Sequence, residues 1–176
     1  PASAVDTAKI AAQAASRLQA GVVKNSGVIN ATGLVSEGSV VRLVASDRIE
    51  HTGRISADAA PTSAGQGGRI ELITDLSNAT GRAEIAGNLS ARGGNLGGDG
   101  GFVETSAANL VIADGTQVST SAPLGKFGTW LLDPTDFTIS SGSGASTSSG
   151  IGATTLQTSL ASANVTIATD NVSGAG

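Results

Sequence analysis

Short apolar segments recur along this chain at nearly regular spacing. In the region 98–134 they are Phe102-Val103, Leu110-Val111-Ile112 and Val118, and Gly, Asp, Asn or Ser residues separate them. Segments this short do not form helices, and apolar runs between turn residues are typical of β-strands. Equivalent segments lie roughly 26 to 34 residues apart, which is the spacing of a protein built from stacked structural repeats.

The same three-segment pattern occurs twice before this region, at 40–57 and 67–91, with a partial repeat at 27–31. A further repeat begins at Thr129-Trp130. One repeat cannot bury its own apolar side chains, but stacked repeats cover each other's apolar faces. We therefore predict a core in which apolar side chains of successive repeats lie over one another. Its defining members are Ile55, Leu89, Val118 and Trp130.

Three stretches of the chain resemble a run found in large bacterial exoproteins. They are Gly-Gly-Phe-Val-Glu-Thr-Ser at 100–106, Val-Ile-Ala-Asp-Gly at 111–115 and Gly-Thr-Trp-Leu-Leu-Asp-Pro at 128–134. Asn-Ser-Gly-Val-Ile-Asn-Ala at 25–31 and the segment 156–165 fit the same pattern. Over most of its length the chain therefore resembles the filamentous-haemagglutinin-like adhesins of the two-partner secretion family.

This resemblance implies an all-β fold, a right-handed parallel β-helix, in a secreted protein of the bacterial cell surface. It also implies cell adhesion, through attachment or through filament and biofilm matrix formation, and an outer-membrane secretion partner for the full-length protein. It leaves open whether the receptor is a host or matrix glycan or a protein. We also expect end-to-end self-association, because unpaired strand edges recruit other strands.

Two segments depart from the strand pattern. The first residues are rich in Ala, the best helix former, with Ser3 as a candidate N-cap and Gly21 as a candidate C-cap. Near the other end, Leu156 and Leu160 stand at helical spacing after a Ser/Gly-rich tract that has the composition of a flexible loop. The predicted divisions are a helical segment, β-helix coils, a loop and a helix-strand return to the β-helix, at 1–21, 22–139, 140–153 and 154–176. The helical segment is either a cap or joint at the end of the β-helix or an insertion on its side.

Composition excludes several kinds of site. The chain contains no Cys, so disulfides, thiolate metal sites and thiol catalysis are excluded. Its ten Lys and Arg residues are scattered, without a basic stripe or interleaved aromatic residues, which argues against nucleic-acid binding. The single histidine has no histidine partner for a metal site, and nothing marks a catalytic triad. We therefore predict no metal, no cofactor and no enzymatic activity.

Two sets of ionisable residues are nevertheless candidates for chemistry. His51 lies between two predicted strands and is predicted to be an exposed turn residue. Glu71 and Glu104 occupy equivalent positions in two repeats, about 5 Å apart if the repeats stack, and glycoside hydrolysis uses a carboxylate pair. Arg42 occupies a similar position in the preceding repeat, so a solvated row of ion pairs on an outer face is the favoured interpretation.

Aromatic residues are rare and gather in one place. Trp130 is the only Trp, and Phe127 and Phe137 lie near it in the sequence. We predict that they plug the core where the regular repeats end, and the alternative is a platform on which sugars stack. That alternative corresponds to a polysaccharide-binding module instead of a structural and adhesive segment. A carbohydrate-active enzyme is the third hypothesis.

Five asparagines stand in Asn-X-Ser/Thr sequences, which accept N-linked sugars where a transferase exists. The plainer explanation is that Asn and Thr suit the turns of a repetitive β fold, and we favour it. The five asparagines are Asn30, Asn78, Asn88, Asn164 and Asn171.

Overall fold

The computed structural model describes residues 20–32 and 39–169. Within these residues the chain forms fourteen β-strands and one α-helix. Most of the helix predicted over 1–21, and Asn171, lie outside the described residues, although Gly21 itself lies in the first strand. The strands and the helix are β1 (Ala20–Asn25), β2 (Val28–Asn30), β3 (Val40–His51), β4 (Arg54–Ser56), β5 (Arg69–Thr74), β6 (Arg82–Ile85), β7 (Asn88–Ser90), β8 (Phe102–Ala107), β9 (Asn109–Ile112), β10 (Gln117–Ser119), β11 (Thr129–Pro134), β12 (Thr138–Ser140), β13 (Gly150–Gly152), α1 (Ala153–Leu160) and β14 (Asn164–Ile167).

The strands form two parallel sheets, which curl into a half-barrel. The larger sheet has the order β12-β13-β9-β6-β3-β5-β8-β11-β14, with β1 also paired to β3, and the smaller has the order β10-β7-β4-β2. The long strand β3 joins two arms of the larger sheet, because its first half pairs with β5 and its second half pairs with β6. The prediction of an all-β chain with parallel strands is therefore confirmed.

Most strands pair with their equivalents in the next repeat and not with their neighbours in sequence, and the exception is the pair of β12 with β13. This produces three columns of strands. The first column contains the first half of β3, then β5, β8, β11 and β14. The second contains β1, the second half of β3, β6 and β9. The third is the smaller sheet, β2, β4, β7 and β10.

The core consists of side chains that the register places over one another. In the third column Ile55 pairs with Leu89, and Leu89 with Val118, and all three are at most 1% exposed. In the first column the corresponding row includes Trp130, which is fully buried between Val103 of β8 and Val165 of β14. Burying each of these apolar side chains contributes about 1.5–3 kcal/mol relative to exposure.

The aromatic residues near the end of the regular repeats do not all join this core. Trp130 does, and its indole Nε1–H donates a hydrogen bond of 3.1 Å to Thr105 Oγ1. Phe137 is partly buried against the core, but Phe127 is 41% exposed, so its predicted place in a core plug is wrong. Phe127 lies in the loop that precedes β11, so the alternation of a strand does not direct its side chain into the core.

Glycines mark the places where repeats approach most closely. Gly68, Gly101 and Gly128 each lie one position before a strand of the first column. A Cβ atom on Gly101 would lie 1.9 Å from the Gly68 carbonyl oxygen, and one on Gly128 would lie 1.9 Å from the Gly101 oxygen. Here the backbone of one repeat therefore lies directly against the backbone of the next, as the glycine pairs in the sequence suggest.

The Ser/Gly-rich tract is a hydrogen-bonded turn that brings β12 and β13 into parallel pairing. Ser149 Oγ donates to Asp136 O at 2.5 Å, and Ser140 Oγ lies 2.5 Å from Ser146 Oγ. Thr155 Oγ1 of helix α1 donates to Ser143 O at 2.7 Å, so the helix is fastened to the same turn. After α1 the chain returns to the larger sheet as β14.

Substituting a stacked glycine tests the close contact between repeats. Gly101→Ala is expected to lower the free energy of unfolding by about 1–3 kcal/mol, because its methyl group must push two backbones apart. Urea denaturation followed by circular dichroism measures the change. Gly144→Ala is the matched control, since a Cβ there meets its nearest atom at 3.9 Å. Equal stability of Gly101→Ala and the unchanged chain would contradict the contact.

Candidate functional site

Charged residues form a row on the outer face of the first column of strands. Arg42, Glu71 and Glu104 are register partners in three successive repeats. Arg69 lies two residues before Glu71 and so points to the same face of the sheet. The row that the sequence predicts is therefore present, with Arg69 as an additional member.

Glu71 is the centre of this row. Its carboxylate accepts hydrogen bonds from Arg42 Nε and Arg69 Nε, and its side chain is only 2% exposed. Arg69 also reaches Glu104, with 3.4 Å between Nη2 and Oε2, and its guanidinium lies 4.1 Å from the centre of the Phe102 ring. The prediction that the row is solvated is therefore wrong at Glu71, because the long arginine side chains cover it.

The electrostatics of Glu71 bear on the hydrolase hypothesis. Burial raises the pKa of Glu71, but the hydrogen bonds and charges of Arg69 and Arg42 outweigh burial and hold that pKa below its usual value. A general acid in glycoside hydrolysis needs the opposite shift, a raised pKa. Because Arg69 also contacts both carboxylates, we assign structural ion pairing to Glu71 and Glu104.

A second ion-pair row crosses the second column of strands. Lys24, Glu50 and Glu84 are register partners, and Arg48 lies beside them. Arg48 contacts Glu50 at 2.7 Å and Glu84 at 2.9 Å, and Lys24 contacts Glu50 at 2.8 Å. Arg82 completes the row at 2.7 Å from Glu84. These side chains are partly exposed, so each pair contributes little stability by itself.

His51 is not the exposed turn residue that the sequence predicts, because it is fully buried. It is the last residue of β3 and lies two positions after the buried Ile49, so strand alternation turns it inward. Its Nδ1 accepts a hydrogen bond of 3.1 Å from the Asn25 side-chain amide, and its Nε2 lies 3.4 Å from Asn88 O. Burial lowers the pKa of His51, so the ring is neutral near pH 7.

Four of the five asparagines in Asn-X-Ser/Thr sequences can be placed. Asn30 is exposed on β2 and accepts a hydrogen bond from Thr32 Oγ1 at 2.6 Å. The Asn78 amide donates to Ser46 O, and the Asn164 amide donates to Phe127 O. The amide nitrogens of Asn78 and Asn164 thus hold neighbouring turns, which agrees with a structural role. Asn88 lies on the outer face of β7.

The third column carries a surface that sequence reasoning missed, which we call the polar trough. Arg54, Asn88 and Gln117 are register partners on β4, β7 and β10. Each directly precedes a buried core residue, and this alternation could have identified them as an outward row. The trough has a volume of about 170 Å³. Its polar lining consists of Arg54, Asn88, Ser90, Arg92, Gln117 and Ser119.

A second cavity of about 230 Å³ adjoins the polar trough, and Arg92 lines both. Asp58 lies in this second cavity and accepts hydrogen bonds from Ser90 Oγ at 2.6 Å and from the Arg92 backbone N–H at 2.7 Å. Burial raises the pKa of Asp58, but these hydrogen bonds and the Arg92 charge hold it below its usual value. Asp58 is therefore an ionised anchor for Arg92.

No protein-family model matches the chain, and neither does any curated protein or solved structure. In the part of the chain that the structure describes, no helix has the length and apolar character to cross a membrane. The same residues contain no cluster of three His, Cys, Asp or Glu side chains that could hold a metal ion.

The buried histidine makes stability depend on pH. Because the folded pKa of His51 lies below the unfolded value of about 6.5, the unfolded chain binds more protons in that interval. The contribution of the neutral His51 to the free energy of unfolding is therefore fully present above about pH 6.5, and it decreases as the pH drops toward the folded pKa. Urea denaturation at several pH values from about 8 to about 5 should show the free energy of unfolding falling with pH. In His51→Gln the free energy of unfolding should depend less on pH. Identical slopes would contradict the assignment.

Removing an arginine from the ion-pair row of the first column should lower the free energy of unfolding more than removing one from the row of the second column. Arg69→Met leaves the buried Glu71 with Arg42 alone and is expected to lower the free energy of unfolding by about 1–3 kcal/mol. Arg82→Met, the matched control, affects the 36% exposed Glu84 and should cost about 0–1 kcal/mol. Urea denaturation of both variants measures the difference, and equal losses would contradict the special position of Glu71.

Proposed function

We propose that this chain is a structural and adhesive segment of a secreted bacterial surface exoprotein of the filamentous-haemagglutinin-like, two-partner secretion type. Its work is mechanical, since it forms a stiff rod that presents long outer faces for attachment and for filament or matrix formation. The observation that carries the proposal is the register. Each repeat adds one strand to each of three columns of parallel strands, so further repeats lengthen the protein along a single axis.

The same register supports a right-handed parallel β-helix as the finer description of the fold. Successive strands of a column are parallel, and the chain between them runs through about one repeat before it returns to the same sheet. Connections of this kind between parallel strands are right-handed in about 98% of cases. Stacked glycines and stacked apolar rows suit coils that lie directly on one another. This geometry agrees with the fold that the sequence resemblance implies.

An adhesive role fits the character of the surfaces. The outer faces of the first and second columns are rows of paired charges, and the third carries the polar trough. Such faces extend over several repeats and offer many weak contacts, which suits attachment to an extended partner. Secretion through an outer-membrane partner and residence at the cell surface are proposed from the resemblance in sequence.

Self-association follows from the open end of the first column. Among the described residues, β14 pairs with β11 on one side and with nothing on the other. Its core-row side chains are incompletely covered, since Val165 is partly buried and Ile167 is 37% exposed. A strand edge with uncovered apolar side chains recruits another strand, and end-to-end addition of copies covers both.

Light scattering and electron microscopy of the purified chain test this proposal. With rising concentration the chain is expected to form elongated end-to-end assemblies. Ile167→Asp places a charge at the open edge and should keep the chain monomeric. Leu96→Asp is the matched control, because Leu96 is 67% exposed in the loop between β7 and β8, and it should assemble normally. Monodisperse monomers at high concentration, or assembly of Ile167→Asp, would count against the proposal.

A further inference from the structure

The polar trough differs in charge from the other outer faces. On the first and second columns, Arg42, Arg48, Arg69 and Arg82 each contact a glutamate. On the third column Arg92 contacts Asp58 at 3.1 Å. Of the six arginines in the described residues, Arg54 is the one that contacts no described carboxylate. Among the described residues the trough therefore carries a positive charge without an ion-pair partner, in a chain whose formal net charge is −4.

We propose that the polar trough binds a carboxylated polysaccharide, with the sugar chain lying across β4, β7 and β10. This inference rests on the proposed adhesive function and names the ligand class for it. Arg54 pairs with a uronate carboxylate, because its planar guanidinium presents a fork of donors that matches a carboxylate. Asn88 and Gln117 bind sugar hydroxyls, because a side-chain amide both donates and accepts hydrogen bonds.

The spacing of the row supports a periodic ligand. Arg54, Asn88 and Gln117 are register partners, so they follow one another at the strand separation of about 4.8 Å. This separation is close to the length of one sugar residue in an extended polysaccharide. A chain lying along the stack would therefore meet one side chain of the row at each residue, without any change in the backbone of the protein.

The adjoining cavity lies alongside the row, because Asp58, Arg92 and Ser121 of its lining each follow by four residues the row members Arg54, Asn88 and Gln117. Its lining offers further hydroxyl and amide groups from Thr32, Asn95 and Ser121. Arg92 lies between the two cavities, fixed by Asp58, so its guanidinium is held in place before a ligand arrives. Such prior positioning lowers the entropy lost on binding. Among the described residues that line either cavity, Asp58 carries the one carboxylate, and its charge is already paired with Arg92.

The polar trough is not the sugar-stacking platform that the sequence suggested around Trp130. Trp130 cannot stack on a sugar because it is fully buried in the first column. The lining of the trough contains no aromatic ring, so recognition there depends on charge and hydrogen bonds. Binding should therefore weaken with salt, as exposed charge pairs do. It should also discriminate against neutral polysaccharides of the same chain length.

Affinity electrophoresis and titration calorimetry with oligogalacturonate test the inference, with dextran oligomers as the neutral probe. The unchanged chain should bind the uronate oligomer and not the dextran. Arg54→Gln should weaken binding about tenfold, the loss of one charge-assisted hydrogen-bonded pair. Gln117→Ala should weaken it a few-fold. Lys24→Gln, which removes one positive charge from the second column, is the matched control and should bind like the unchanged chain.

Three results would overturn the inference. They are no uronate binding by the unchanged chain, equal binding of dextran, and a loss in Lys24→Gln as large as that in Arg54→Gln. Folding of each variant is checked by its denaturation midpoint. Failure here is distinguishable from failure of the proposed function, because self-association is measured without any glycan and Arg54 lies far from the β14 edge in sequence and column. Arg54→Gln should assemble normally.

Discussion

The parallel hydrogen-bond ladder between successive repeats is the constraint on which the rest of this structure depends. It sets the distance between equivalent residues to one strand separation, about 4.8 Å, and Gly68, Gly101 and Gly128 keep the backbones free to meet at that distance. Once the ladder is set, residues roughly 30 positions apart in sequence become nearest neighbours. Every row of side chains, inside or outside, is a consequence of that register.

Different interactions stabilise the inner and outer rows of side chains, although the same hydrogen-bond ladder sets the positions of both. Inside, apolar side chains gain from lying over one another, and the buried His51 is accepted because it is neutral and hydrogen-bonded to Asn25. Outside, like charges occupy equivalent positions, since Glu50 pairs in register with Glu84, and Glu71 with Glu104. Their repulsion is offset because an arginine bridges each pair of glutamates, Arg48 in the second column and Arg69 in the first. The third column departs from this rule at Arg54, which gives that face its separate electrostatic character.

Particular residues show how far prediction from the sequence could go. The apolar segments located the strands, and the repeat spacing alone suggested that Ile55, Leu89 and Val118 share a row, where the structure places them. His51 was misjudged because its strand extends one residue further than the apolar pattern does. Phe127 was misjudged because nearness in sequence to Trp130 does not fix the direction of a loop residue. The turn at 141–149 depends on Ser and Thr hydroxyl groups that donate to backbone carbonyls 12 or 13 residues away, which no local pattern in the sequence indicates.

By itself the sequence determined the kind of architecture, because the repeat spacing, the turn residues and the apolar segments can be identified without knowledge of tertiary contacts. The tertiary structure alone decided which polar side chains became neighbours. Burial of Glu71 beneath two arginines and the alignment of Arg54 with Asn88 and Gln117 depend on register between repeats. A shift of one residue in a strand would turn each of these side chains to the opposite face. The surfaces that can recognise a partner are therefore properties of the ladder, not of any one segment.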